Sequence, residues 1–380
     1  MRKLPLEEMH RQSGAIFAER DGFMLPANYG GGDARTEYEA VRGGSGAGLI
    51  DLSSVRSRIE VSGAEAVQFL NGLITNDMKT LGAGAWMPAA FPNVQGRLLA
   101  HVRVMRPTEA ISFLFDTETA THEKVFQTLA RFTLAGDFRI RDVSHETAQF
   151  SLQGAKSPDI IEEALGRSAA QTERGRVSVV SRGGSDHPVT IARATHTGED
   201  GYDLFIAGAE APALWEALRE AGACPIGFEA FELLRVEAGV PRYGVDVSDT
   251  NVVLEAGQDE AVSYTKGCYI GQEIIARIHW RGHVAKRLAG LILEDERQLA
   301  ADAKVISTEG KEIGRVTSAV HSPRLARTVA LGIIRYDYLQ PGTPVTVVSD
   351  EESHAAHIAE LPFVRGSWHT TRAGGEETNQ

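Results

Sequence analysis

From Lys286 onward the chain changes texture. Leu288 to Leu293, Ile313 to Val320, Val329 to Ile334 and Val345 to Val348 are short apolar runs parted by Gly, Pro and charged turns. Strands this short and this evenly spaced bury their apolar faces best by curling into a small antiparallel barrel. The barrel is placed at residues 285–365. A polar tail at 366–380, carrying Gly374-Gly375-Glu376-Glu377, is expected to be flexible.

The chain of 380 residues exceeds the length at which one hydrophobic core keeps growing, so further lobes are expected before the barrel. Residues 1–35 read as an N-terminal extension that closes in Gly30-Gly31-Gly32-Asp33, a flexible entry segment. Strand-like alternation follows at Gly48 to Ser53 and Arg58 to Val61. Ser62-Gly63-Ala64-Glu65 has capping-box spacing before a helix with Val67, Leu70, Leu73 and Ile74 on one face. Pro88 to Val104 reads as paired strands around Asn93 to Arg97. Thr121 to Leu134 reads as an amphipathic helix, and residues 168–187 as an exposed excursion. Helices are also predicted over Ala211 to Ala221 and Ile226 to Ala238. Strands and helices in this order give an α+β class.

Composition narrows the function classes. The formal net charge of −12 disfavours a nucleic-acid-binding surface, which needs a basic face. No run approaches the ~18 apolar residues of a membrane span. Only Cys224 and Cys268 are present, which leaves no disulfide framework and suits a cytoplasmic protein. The glycines of Gly43-Gly44-Ser45-Gly46-Ala47-Gly48 lack the Lys-Ser/Thr or the spacing of a phosphate loop.

The stretch richest in chemistry is Tyr264-Thr265-Lys266-Gly267-Cys268-Tyr269-Ile270-Gly271-Gln272-Glu273. A lysine two residues from a cysteine can lower the thiol's pKa and make it a nucleophile or soft ligand. The plainer alternative is a turn holding an inert cysteine. A second cluster, Thr197-Gly198-Glu199-Asp200-Gly201-Tyr202-Asp203, sets a glutamate on a turn. Its carboxylate can pair with adjacent N–H donors of a ligand, or simply face solvent. Arg235, in the last turn of a helix, is placed to meet that helix's dipole.

Lys266 to Glu273, with Ala276-Arg277 and Lys286-Arg287-Leu288, resembles the hallmark of the YgfZ/Iba-type folate-binding proteins. These are relatives of the glycine-cleavage T-protein (aminomethyltransferase, GcvT) that act in maturing iron–sulfur enzymes. Asp51-Leu52-Ser53 and Leu73 to Asp77 resemble the T-protein superfamily at large, and Asn93-Val94-Gln95-Gly96-Arg97 the Iba-type branch. The resemblance spans about 36–365 and implies a three-lobed ring: two α+β lobes at 36–284 around a central tetrahydrofolate cavity, then the barrel. It implies that Glu199 holds the pterin, that Arg235 and Tyr243 line the cavity, and that Asn93 belongs to the cofactor site. Lys266 and Cys268 are the implied catalytic pair, and no residue is assigned to a metal.

One departure matters. The aminomethyltransferases carry an aspartate pair on the strand after the Asn93 turn, where this chain has Ala100 and His101. His101 has an unperturbed pKa near 6.5 and can act as a general base, although on a strand it serves more often in structure. His196 stands where the family has an aromatic Tyr. The first expectation is therefore a tetrahydrofolate-binding factor for assembly or repair of iron–sulfur enzymes, with Cys268 as its thiol and the balance leaning away from an enzyme. Two cysteines without a CxxC cannot hold a [4Fe–4S] cluster alone, so assembly proteins or client enzymes are the expected partners. Any link to tRNA modification is indirect, with no nucleic acid or membrane bound directly. The alternatives are a tetrahydrofolate-dependent aminomethyl or methyl transferase or demethylase, and a scaffold that has lost the folate.

Overall fold

The computed structural model describes residues 6–20, 22–31, 34–183, 187–297, 299–300 and 302–370. Gly32, Asp33 and the tail from 371 lie outside the described residues.

The N-terminal residues differ from a flexible entry segment. Helix α1 (Glu7–Gln12) leads into a hairpin of β1 (Ala15–Arg20) and β2 (Phe23–Tyr29). His10 is fully buried, 2.9 Å from both the Asp51 carboxylate and the Tyr29 hydroxyl. Leu25 packs with Tyr38, Val41, Ile50 and Leu234. Polar composition hid this segment because its anchors are a few apolar side chains and one histidine. Helix α2 (Ala34–Arg42) and strand β3 (Gly48–Asp51) follow.

The first lobe comprises β4 (Arg56–Ser62), β5 (Ala85–Pro92), β6 (Leu98–Arg106), β7 (Ser112–Glu118) and β8 (Arg139–Asp142). They form an antiparallel sheet in the order β5-β6-β7-β4-β8. Helix α3 (Ala66–Leu73) buries Ala66, Leu70 and Leu73 against it, and α4 (His122–Ala130) buries Val125 and Leu129. Glu65 is the N-cap of α3, but its carboxylate accepts from Asp137 N at 2.7 Å instead of closing a capping box with Ser62, the last residue of β4. The α4 helix stops short of the predicted Leu134, whose side chain is 98% exposed.

The second lobe is built from β9 (Thr147–Gln153), β10 (Val177–Val180), β11 (Val189–Arg193), β12 (Gly201–Ala207) and the short β13 (Cys224–Pro225), joined by β3 in the order β10-β11-β12-β9-β3-β13. Helices α5 (Ser157–Leu165), α6 (Arg167–Ala170) and α7 (Ala211–Glu220) cover it around Trp215. The predicted excursion at 168–187 therefore contains an edge strand with Val177 and Val180 buried, while residues 184–186 lie outside the described ones.

Helix α8 (Phe228–Glu237) packs on the hairpin and α2, and α9 (Gln272–Arg281) follows the Cys268 stretch. The closing barrel is β14 (Lys286–Leu293), β15 (Lys304–Ser307), β16 (Glu312–Ser322), β17 (Arg327–Arg335), β18 (Pro344–Ser349) and β19 (Glu352–Ala359), closed in the order β14-β17-β16-β15-β18-β19. The fold is thus mixed α/β with an antiparallel six-stranded barrel, as the C-terminal texture required. Helix α10 (Ser367–Thr370) returns to the second lobe. Among the described residues no helix is long and apolar enough to cross a membrane.

Candidate functional site

Side chains on one face of the first sheet point toward the second lobe. In register, Arg56 stands opposite Glu118 across β4 and β7, and Arg103 opposite Asp116 across β6 and β7. Because Val102 faces Thr117 in that register, His101 lies across from Glu118 on the same face. Arg103 joins the lobes: it is 2.5 Å from Asp116 on β7 and also bonds Asp203 on β12. Burial opposes ionisation of both aspartates, yet the arginines and His196 outweigh it and keep them below the usual carboxylate range.

A cavity of about 580 Å³ opens beside this junction, within the roughly 300–1,000 Å³ common for small-molecule sites. Phe23 of the hairpin, Phe228 and Phe231 of α8 and Tyr243 give it aromatic walls. Arg20, Arg56, Arg235 and Arg242 supply cations, and Glu118 and Glu232 supply carboxylates. Although burial opposes it, Glu232 is held down at about 2 by Arg235, Arg20 and Arg242, with Arg20 at 2.5 Å. His196 also lines the cavity. Its ring meets Phe231 edge-on at 6.2 Å, and its Nε2 is 2.8 Å from Asp203.

Of the residues singled out in the sequence, Arg235 and Tyr243 stand on the cavity wall. Arg235 is buried, 2.8 Å from Asp246 and 2.7 Å from the Ser318 hydroxyl of the barrel. The Tyr243 hydroxyl accepts from Lys124 Nζ at 3.0 Å.

Glu199 is not on that wall. Its carboxylate takes Arg42 at 2.8 Å and the Ser367 backbone N–H and hydroxyl at 2.7 and 2.5 Å, which turns it into the protein. The residue missed is Asp203, four positions on, which β12 carries to the interlobe face; its position after Gly201-Tyr202 was the available signal. Glu199→Ala is therefore expected to cost about 3 kcal/mol of stability by removing the two bonds from Ser367 and one of the two carboxylates that Arg42 holds. Urea unfolding at neutral pH checks this.

Asn93 likewise builds a turn instead of a cavity. Its side-chain oxygen accepts from Gln95 N and Arg97 N, both at 2.9 Å. The turn packs on Gly271, whose φ is +77°, and a Cβ there would stand 2.4 Å from the Asn93 carbonyl oxygen. The two segments that carried the resemblance are thus the two sides of one close backbone contact.

The structure places Lys266 and Cys268 differently. The ammonium is buried and donates to the Ile74 and Asn76 carbonyls at 2.8 and 2.7 Å, at the end of α3. Burial pulls it down to about 8. Cys268 is exposed on the loop outside.

His101 has both ring nitrogens buried without a hydrogen-bond partner, and burial pushes it down to about 4. Ala100, on the opposite face, is wholly inside the first lobe's core.

A family described as the GCVT N-terminal domain matches residues 6–266, and the glycine cleavage T-protein C-terminal barrel domain matches 286–365. The aminomethyltransferase of Rubrobacter xylanophilus is 34% identical over 368 residues, covering 96% of this chain and 95% of that protein. That of Halalkalibacterium halodurans is 29% identical over 370 residues, covering 96% and 98%. The crystal structure of glycine cleavage system aminomethyltransferase T from Bartonella henselae superposes with a TM-score of 0.86 at 25% identity, covering 95% of this chain and 98% of that one. With both regions matched and relatives aligned nearly end to end, the chain belongs to the glycine cleavage T-protein family.

Proposed function

We propose that the protein is a tetrahydrofolate-dependent one-carbon transferase of the aminomethyltransferase type. The observation that carries this reading is the cavity at the lobe junction, where aromatic walls, carboxylates and arginines meet. A reduced folate presents a flat ring with adjacent N–H donors and a tail of carboxylates, and each part has a matching group here. When bound, the folate supplies a ring nitrogen that carries the one-carbon unit. Phe23, Phe228 and Phe231 would hold the ring and exclude water. Glu232, kept ionised, would fix Arg20, Arg235 and Arg242 in place, and these arginines of the wall would meet the tail.

The sequence leaned toward a non-enzymatic factor. The cavity and the shared name of the relatives favour the transferase instead. The iron–sulfur role rests on the Lys266 to Glu273 stretch and on an exposed Cys268, which the cavity does not use.

The test is anaerobic calorimetric titration of tetrahydrofolate. Wild type is expected to bind, Phe231→Ala to bind at least about tenfold more weakly for the lost aromatic burial, and Cys268→Ser to bind as wild type. Absence of wild-type binding would remove folate from the account. Turnover is then read as a new folate species formed with an amine or methyl donor. Turnover unchanged in Cys268→Ser, with loss of iron–sulfur enzyme activity in cells, would favour the factor role for that thiol.

A further inference from the structure

The cavity wall holds two carboxylates in different states. Glu232 is locked by three arginines, at 2.5 Å for Arg20 and 3.8 Å for Arg242, with Arg235 bonded directly. Glu118 forms no ion pair among the described residues. Both its oxygens accept from one donor, the Tyr243 backbone N–H, at 3.1 Å. A carboxyl has room for further bonds beyond that one, and on the cavity wall a ligand can make them.

The groups facing Glu118 come from several elements. Arg56 on β4 is its register partner and spends its Nε–H on Asp116, 2.5 Å away. His101 on β6 lies across from it with its ring nitrogens enclosed. Arg235 and Glu232 on α8, then Arg242 and Tyr243, close the far side, with His196 on the second lobe and Lys124 held on the Tyr243 hydroxyl. Burial raises the Glu118 carboxyl above the ordinary carboxylate range, and Arg56, the Tyr243 N–H, Arg242 and Arg235 offset this only in part. His101 is not an alternative proton carrier near neutral pH, because burial holds it neutral until about 4.

We infer that Glu118 is the proton-exchanging group of the cavity: it takes up a proton from solvent as a reduced folate seals the wall, and presents a carboxylic O–H to the ligand. This rests on the folate reading above. The balance is simple, since the carboxylate gains one proton from water, forms one O–H bond and keeps its place on Tyr243. Filling the cavity removes the remaining water from Glu118 and so favours the neutral acid.

The test uses the full chain and tetrahydrofolate, titrated anaerobically at about pH 6 in two buffers of different ionisation enthalpy. In wild type the binding enthalpy should differ between buffers in the sense and proportion of a net proton uptake. In Glu118→Gln the difference should vanish, whatever the change in affinity, while Gln keeps an oxygen for the Tyr243 N–H. Glu118→Asp keeps a carboxyl and should retain the uptake. A buffer difference that is absent in wild type, or that persists in Glu118→Gln, overturns the inference and leaves the folate reading standing. No binding by wild type overturns both.

Discussion

Arg103→Met is expected to lower the stability of the protein by about 4 kcal/mol, within the 3–5 kcal/mol typical when one partner of a buried ion pair is removed. Methionine fills much of the same space, so the loss is electrostatic rather than a cavity effect. Arg103 is buried and serves two buried carboxylates, Asp116 in the first lobe and Asp203 in the second. Without it Asp116 keeps Arg56 and Asp203 keeps His196, each now short of compensation. Both aspartates have folded-state pKa values below their unfolded ones, so their contribution is present above about pH 4 and disappears as pH falls. The deficit of the variant should therefore be largest at neutral pH and shrink in acid. Arg103→Lys should recover only part of it, because one far nitrogen of the guanidinium serves both carboxylates and the lysine ammonium does not reach as far. Urea unfolding at several pH values measures all of this, and a neutral-pH loss below about 1 kcal/mol would show that the lobes do not depend on this bridge.

Acid should weaken the wild type by about 3 kcal/mol through His101 alone. Its folded-state pKa, pushed down to about 4 by burial, lies well under the ordinary 6.5, and each unit of difference is worth about 1.4 kcal/mol. The unfolded chain takes up the proton as pH drops below 6.5, while the folded chain resists until about 4. This contribution is therefore complete above 6.5 and lost across that window. Glu37, Glu118 and Glu237, raised chiefly by burial, act in the opposite sense nearby, so wild type alone would not isolate the histidine. The comparison with His101→Leu does. The variant should match wild type within about 1 kcal/mol at pH 7, because it also removes two unpartnered buried nitrogens. It should then gain on wild type steadily toward pH 4. Parallel pH profiles for the two proteins would refute the assignment.

How much was legible in the sequence depended on how far each residue's partners lie along the chain. The barrel was readable because alternation and turn residues are local. Two of its strands were missed: β15 has only four residues, and β19 is rich in Ala and His, which carry little strand signal. The site was harder. Gly198-Glu199-Asp200-Gly201 marks a turn correctly, but the direction of the Glu199 carboxylate is decided by Arg42 and Ser367, 157 and 168 residues away. Lys266 is two positions from Cys268, yet the carbonyls that hold it are 192 and 190 residues away. Arg235 and Tyr243 reach the cavity wall because the helix and loop that present them form it. Glu118 gave no signal at all, since one acidic residue at a strand end is ordinary until the opposite wall is in place.

The Arg42 cluster bears on how such a chain is made. Arg42 near the N-terminus holds Glu199 and Glu237, Glu237 also accepts from Tyr38 and from Ser322 of the barrel, and Glu199 is completed only by Ser367. During synthesis from the N-terminus, both lobes emerge before Ser322 and Ser367, which complete the hydrogen bonding of these buried carboxylates. The ribosome has thus delivered both lobes and the barrel before this cluster can close, and helix α10 acts as its latch.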